Sequence, residues 1–427
     1  MPAHRLPSDR LMFVLLPHGL ERPLVFSPDT AHVAGMLQSV LTGWPMKSDR
    51  KLAGKPLLRI FADGGEIIIE RPEDGGTFHE PTAVSAVCSL VVEVVDALAA
   101  ASPGLVCLHA AAAEFGGRLV LFPAAHRAGK STLMGRLSAG GRRIFADDIL
   151  PFDLTAGEAV STGCMTRLRL PLPRRTSRAF KNHVRDRTVL SDGYYAYLSA
   201  PKDAEIRFGE RLPLGAVVLL ERNNRPVRAR LEPAPLDRTL LEILTRNTRD
   251  DRDALLLLST FASIIRHVPV QRLVYSDLED AVRCLDVAFG KEAPASPRPI
   301  RANPVIRDEL SGARVKQAGP PAPKPGLPLY RRSPSVTLER VDASGFLLDS
   351  RGNGIHMLDP LGLGVWNLLE TPRDASSLCD VVAGAFPETP RQKVADDIDG
   401  LLSALVGEGL VERVGAAVRD VSLMGGL

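Results

Sequence analysis

An excess of either charge is missing from this sequence. Its 53 basic and 50 acidic side chains nearly cancel, leaving a formal +3. That balance excludes an acidic disordered activator and a strongly basic nucleic-acid coat, while leaving room for a local basic patch. Cysteine is scarce. The five, at 88, 107, 164, 284 and 379, include no C-x-x-C pair, which speaks against a disulfide framework and a structural zinc site. Long apolar runs are also missing. The opening MPAHRLPSDR is polar, and stretches such as 254–258 with the following FASII fall short of a membrane span. No internal repeat is evident. These absences predict a soluble protein of the reducing cytoplasm.

What is present is a chain of 427 residues, 45% hydrophobic, enough for two or three domains. The clearest boundary is a proline-rich stretch, with prolines at 294, 297, 299, 304, 320, 321, 323, 325 and 328. Each proline fixes its φ and lacks an N–H, so neither helix nor central strand propagates there. Before it, LLRIF at 57–61, Asp-Gly-Gly at 63–65 and EIIIE at 66–70 read as a hairpin with a loop longer than the tightest kind. Residues 83–99 carry apolar side chains at helical intervals and stop at Ser102-Pro103-Gly104. From 105 onward LVCLHAAAA and RLVLF read as strands, STLMGRLSA as a helix, IFADDILPF as a strand ending at paired aspartates, VVLLE as a strand, and 237–266 as two helical pieces. The fold class is therefore α/β. We expect an N-terminal α+β accessory domain over 1–95, a phosphate-loop core over 96–290, a linker over 291–330 and a further domain over 331–416.

The sharpest local signal is Ala124-Ala125-His126-Arg127-Ala128-Gly129-Lys130-Ser131-Thr132. A phosphate loop begins with glycine and ends GK[ST]. Here the ending is intact, the first position is alanine, an apolar strand enters and an amphipathic helix leaves. In such a loop backbone N–H groups cradle phosphate oxygens, Lys130 reaches the β and γ phosphates of ATP, and the Ser131 hydroxyl meets Mg²⁺. Asp147 and Asp148 follow RRIFA, where a strand end can supply a Mg²⁺ ligand and a proton acceptor for phosphoryl transfer. His109 falls in the strand segment CLHAAAA. A histidine there is ordinarily a satisfied core residue, but adjacent strand ends can bring it to a crevice.

Taken together, LHAAAAEFGGRLVLFPAAHRAGKSTLMGRL and IFADDILPFDL resemble the nucleotide-binding core of the HPr serine kinase/phosphorylase superfamily, in its divergent HPr-kinase-related branch. The resemblance covers about 105–285. It implies that Lys130 binds phosphate, Ser131 binds the metal, Asp148 takes the proton from a substrate hydroxyl, His109 supports Asp148 and Asp147 is metal-proximal. Two departures stand out. The loop at 124–128 is alanine, histidine and arginine where the family has glycine. A metal-binding glutamate in a glycine-rich segment is replaced by 167–187, with eight Arg or Lys and one acid. That stretch reads as a clamp for phosphates or an acidic peptide, or as a solvated loop.

Residues 331–416 resemble a PqqD-like domain, through SVTLERVDASGFLLDSRGNGIHMLDPLGLGVWNLLE, Trp366 in its first helix, the apolar stripe Val394, Ile398, Leu401, Leu402 and Leu405, and Gly409 after it. The resemblance implies a winged-helix-like fold that captures a ribosomally made precursor peptide by strand addition. Nucleic acid is not an expected partner, because segments such as VADDID offer no phosphate-contacting stripe. The combined expectation is an ATP- and Mg²⁺-dependent kinase for a peptide or small-protein hydroxyl, in a chain that can assemble as a homo-oligomer. The alternative is a non-catalytic nucleotide- or peptide-binding scaffold of a peptide maturation system.

Overall fold

A computed structural model describes residues 12–49, 54–123, 128–245, 254–290, 323–348 and 354–416. Positions 124–127 of the phosphate loop and most of the expected linker lie outside the described residues. The chain divides into two compact units, one of residues 1–250 and 263–302, the other of residues 251–262 and 303–427.

The first unit begins with a six-stranded sheet in the order Met46–Asp49, Phe13–Pro17, Leu24–Phe26, Leu58–Asp63, Glu66–Glu70, Thr77–Glu80. The expected hairpin is tighter than its sequence indicated. Asp63 pairs with Glu66, leaving a two-residue turn at Gly64-Gly65, the commonest hairpin connection. Helices Ala31–Val40 and Ala83–Ala101 cover this sheet. The second starts at a reciprocal cap: Ser85 N–H donates to Thr82 Oγ1 at 2.9 Å, and Thr82 N–H donates to Ser85 Oγ at 3.1 Å.

Two expectations change at this helix. By length and composition Ala83–Ala101 is apolar enough to cross a membrane, so the sequence does contain such a run. Here its Val84, Val87, Leu90, Val94 and Val95 pack in the core with Leu15, Phe26 and Ile69. The expected boundary between 95 and 96 also falls inside it. The same core reaches Cys107 and Tyr197, so residues on both sides of that boundary share one hydrophobic interior.

The second sheet of this unit has nine strands. Six run in the order Ile144–Ala146, Ala111–Phe115, Arg118–Phe122, Arg211–Arg222, Val270–Tyr275, Arg230–Pro233. Glu158–Val160, Leu150–Asp153 and Leu105–Leu108 continue from the first part of Arg211–Arg222. The central three strands are parallel, as crossover connections through helices require. Helix Lys130–Ala139 is one such crossover. Its Leu133, Met134 and Leu137 bury against Phe122, Ala216 and Leu273, beside Leu285 of helix Leu278–Phe289. The helical region expected at 237–266 comprises Leu236–Leu244 and Ala254–His267.

Two single strands of the sequence reading are each a pair. LVCLHAAAA splits into Leu105–Leu108 and Ala111–Phe115, with His109 in the break. IFADDILPF splits into Ile144–Ala146 and Leu150–Asp153, with both aspartates in the break. The chain changes neighbours at each break, so the polar residues sit where ladder pairing stops. The basic stretch is neither one loop nor wholly solvated. It contributes strand Thr166–Arg169, paired with Tyr195–Leu198, and helix Arg178–Arg187, whose Phe180 and Val184 bury against Leu168 and Leu198.

In the second unit, strand Pro328–Arg332 pairs with Val411–Ala416, so ordered structure begins inside the segment expected to be linker. Thr337–Val341, Ser344–Leu348 and Ile355–Leu358 form an antiparallel sheet. Helices Pro360–Leu368, Ala375–Ala385 and Arg391–Gly407 follow. Asp359 and Asp374 cap the first two. Val394, Ile398, Leu402 and Leu405 pack with Trp366, Leu347 and Val411, while Leu401 of the expected stripe is only partly buried there.

Candidate functional site

Strand register brings the motif residues to one end of the nine-stranded sheet. Phe122, the last residue of the strand that enters the GKST segment, pairs with Ala111. On the other side of that strand Ala146, the residue before Asp147, pairs with Ala112. Ile144–Ala146 and Arg118–Phe122 are both antiparallel to the strand between them, so their carboxyl ends point the same way. His109 precedes the start of that middle strand. With strands about 4.8 Å apart, the phosphate loop, His109 and the aspartate pair emerge side by side. Ligands of open α/β sheets bind at this edge, outside the carboxyl ends of parallel strands.

The GKST segment begins a helix behind a left-handed glycine. Gly129 caps helix Lys130–Ala139 with φ +93°, a conformation that costs other residues about 1–2 kcal/mol. A Cβ there would also meet Tyr275 Oη at 3.0 Å. Tyr275 Oη donates to the Ala128 carbonyl at 3.3 Å, tying the loop to the end of strand Val270–Tyr275. Lys130 is buried, with 7% of its surface exposed, whereas Ser131 and Thr132 are half-buried. A cleft lined by Gly129, Thr132, Arg175, Arg222, Tyr275 and Ser276 opens beside the helix start. Arg175 and Arg222 are exposed, so two cations face the place where phosphate charge would sit. Ala124, Ala125, His126 and Arg127 lie outside the described residues.

His109 and the two aspartates form a second cluster. His109 Nδ1 is 3.4 Å from Asp148 Oδ1. The other oxygen of Asp148 accepts from the Arg167 guanidinium. Asp147 Oδ2 accepts the backbone N–H of the same residue at 2.8 Å. Arg167 lies over the Tyr195 ring, 5.1 Å from its centroid. The two aspartates thus have different surroundings. Burial pushes the Asp147 carboxyl up to about 7, with Arg167 opposing the shift and Asp148 reinforcing it. Burial also works against the charge of Arg167, but the neighbouring Asp147 and Asp148 more than offset it and hold the guanidinium ionised. Nearby, burial raises the Cys164 thiol and the Tyr197 hydroxyl, so neither supplies an anion at neutral pH. Tyr197 Oη donates to Cys88 Sγ at 3.3 Å.

Arg167 is the residue that sequence reasoning missed. The basic character of 167–187 was visible, but eight cations in a row do not say which one turns inward. Arg167 and Arg169 share one face of the strand, opposite Tyr197 and Tyr195; what sets Arg167 apart is its place beside the aspartates, which it contacts through both its backbone N–H and its guanidinium.

The donor set suits a Mg²⁺ that arrives with a nucleotide. Mg²⁺ commonly takes one or two carboxylates together with substrate phosphates and waters. Among the described residues no group of three or more His, Cys, Asp or Glu side chains could hold a metal alone. Ser131 and Asp147 are oxygen donors of the right kind.

The second unit matches a known family. Residues 345–411 match coenzyme PQQ synthesis protein D (PqqD). The match lies within the 331–416 expected from sequence, and the C-terminal part of the chain carries a PqqD-type domain. Among solved structures, TbiB1 in complex with the TbiA(beta) leader peptide is 25% identical, covering 20% of this chain and 98% of that one at a TM-score of 0.19. No curated protein matches the chain.

Proposed function

We propose that the chain is an ATP-dependent kinase, of the HPr-kinase-related kind, that phosphorylates a hydroxyl of a precursor peptide or small protein captured by its PqqD-type domain. The observation that carries this reading is the shared sheet end: GKST at a helix start, His109 and Asp148 emerge from three neighbouring strands. The peptide half of the proposal rests on the PqqD match, and serine is the favoured acceptor.

Phosphoryl transfer asks the protein for positioning and charge neutralisation rather than covalent chemistry. The acceptor hydroxyl oxygen forms a bond to the γ-phosphorus as the bond to the β,γ-bridging oxygen breaks, leaving ADP. Asp148 accepts the hydroxyl proton late in that process. His109, next to the other oxygen of Asp148, fixes the carboxylate's direction. Lys130 and the helix amides balance the charge on the phosphates. Ser131 and Asp147 would hold Mg²⁺, which supplies further charge neutralisation at the β and γ oxygens.

The direct test incubates the full chain with γ-labelled ATP, Mg²⁺ and a panel of serine-containing precursor peptides, reading peptide mass and label. Wild type should add one phosphoryl group, and Asp148→Asn should lower the rate by about 10²-fold or more. Equal rates in both would remove Asp148 from the chemistry. A second reading, a non-catalytic nucleotide- or peptide-binding scaffold, is favoured by the absence of glycine at positions 124–128. Nucleotide binding without any phosphorylated product would support it.

A further inference from the structure

We propose that Arg167 is a built-in counter-cation for the aspartate pair, and that a divalent cation reaches Asp147 and Asp148 only by displacing its guanidinium. The proposal takes from the kinase reading one assumption, that these aspartates meet a divalent cation.

Two adjacent carboxylates repel, and removing them from water is costly unless a cation accompanies them. Arg167 supplies that cation from a fixed place. Its backbone N–H holds Asp147 Oδ2 at 2.8 Å and its guanidinium holds Asp148 Oδ2. The side chains of Arg167 and Asp148 are 18% and 27% exposed, so water screens the pair less than it would at the surface. The space left at the aspartates is small. The cavity bounded by Asp147, Asp148, Thr166 and Arg167 holds about 20 Å³, room for one water-sized occupant. A hydrated divalent cation does not fit within this cavity beside the guanidinium.

Arg167 has somewhere else to go. It also lines a neighbouring open groove of about 330 Å³, with Glu80, Ser85, Ser89, Glu93 and Tyr195. Rotation toward that groove keeps the guanidinium near Tyr195 and brings it toward two other carboxylates. With the guanidinium in place the free protein binds divalent cation weakly, because at most one unit of negative charge remains uncompensated at the pair. Nucleotide phosphates supply the missing charge, so metal and nucleotide enter together.

The test uses nucleotide-free full-length protein and Mn²⁺, read by electron paramagnetic resonance of the free ion. Wild type and Arg167→Lys, which keeps the charge, should bind weakly. Arg167→Gln should bind about tenfold more tightly or better, and adding Asp148→Asn should cancel the gain. Arg167→Met, whose stem still packs on Tyr195, is measured in parallel in case the glutamine variant does not fold. Equal affinity in wild type and the uncharged variants overturns the proposal. So does tight Mn²⁺ binding by nucleotide-free wild type alone. None of these readouts needs ATP or peptide. A failure to find phosphorylated product therefore counts against the kinase reading and leaves this result standing.

Discussion

At the residue scale, the two adjacent aspartates have different surroundings. Asp148 touches His109 and the guanidinium, whereas Asp147 accepts the backbone N–H of Arg167 and is pushed up to about 7 by burial. A carboxyl with a raised folded pKa is protonated in the folded state over a range where the unfolded chain has already lost the proton. Stability is therefore lost as pH rises from about 4 through about 7. Asp147→Asn keeps an oxygen to accept the Arg167 N–H and cannot ionise. It should raise the thermal midpoint by a few degrees at pH 8 and change it little at pH 4. A midpoint gap that does not vary with pH would mean that Asp147 does not titrate in this range.

The residue scale is also where the sequence was hardest to read. GKST is visible in the sequence because its spacing is local and a helix does start at Lys130. His109 and the aspartates were recognised by type and order, His109 within a strand segment and the aspartates at a strand end. Their position in breaks depends on where the chain leaves one ladder for another, a long-range outcome that local hydrophobicity does not encode. The direction of Arg167 depends on register in the same way.

At the element scale, Glu279 is the clearest joint. It lies in the first turn of helix Leu278–Phe289, takes Arg136 of the phosphate-loop helix through Nε and Nη2, and accepts Ser177 Oγ at 2.8 Å. Three elements meet on one carboxylate, and the Arg136 hydrogen bond holds its pKa below the ordinary glutamate range. That stabilisation is present above the unfolded pKa and lost as pH falls through the lower folded one. Glu279→Gln should cost about 1–2 kcal/mol at pH 7, with the difference closing below pH 4. Denaturant unfolding at the two pH values checks it. An undiminished difference at low pH would show that packing, not charge, is what the glutamate supplies. Most of these elements were legible from apolar spacing and turn residues. The hairpin at 58–70, the long helix after Thr82 and the strand–loop–helix around GKST appear where patterning put them. The lateral order of the sheets was not legible, because pairing partners come from distant segments.

At the scale of the whole molecule, the chain joins a candidate phosphate site to a PqqD-type domain through a proline-rich stretch. A tethered capture domain raises the local concentration of its peptide at the second site without adding a contact there. Removing 323–427 should therefore raise the peptide KM by about tenfold or more and leave peptide-independent ATP hydrolysis unchanged. An unchanged peptide KM would detach the domain from substrate capture. The boundary at 95, read from composition, dissolved because one buried helix serves both sides of it. The expected linker at 291–330 lies mostly outside the described residues, and strand Pro328–Arg332 begins inside it.

The central claim, that the altered loop still holds a nucleotide for phosphate transfer, is tested most directly by calorimetric titration of ATP with Mg²⁺ into wild type and Lys130→Ala. The account predicts an affinity in the micromolar range for wild type, lost by at least about tenfold in the variant. Absence of binding to wild type, or equal binding to both proteins, would contradict it.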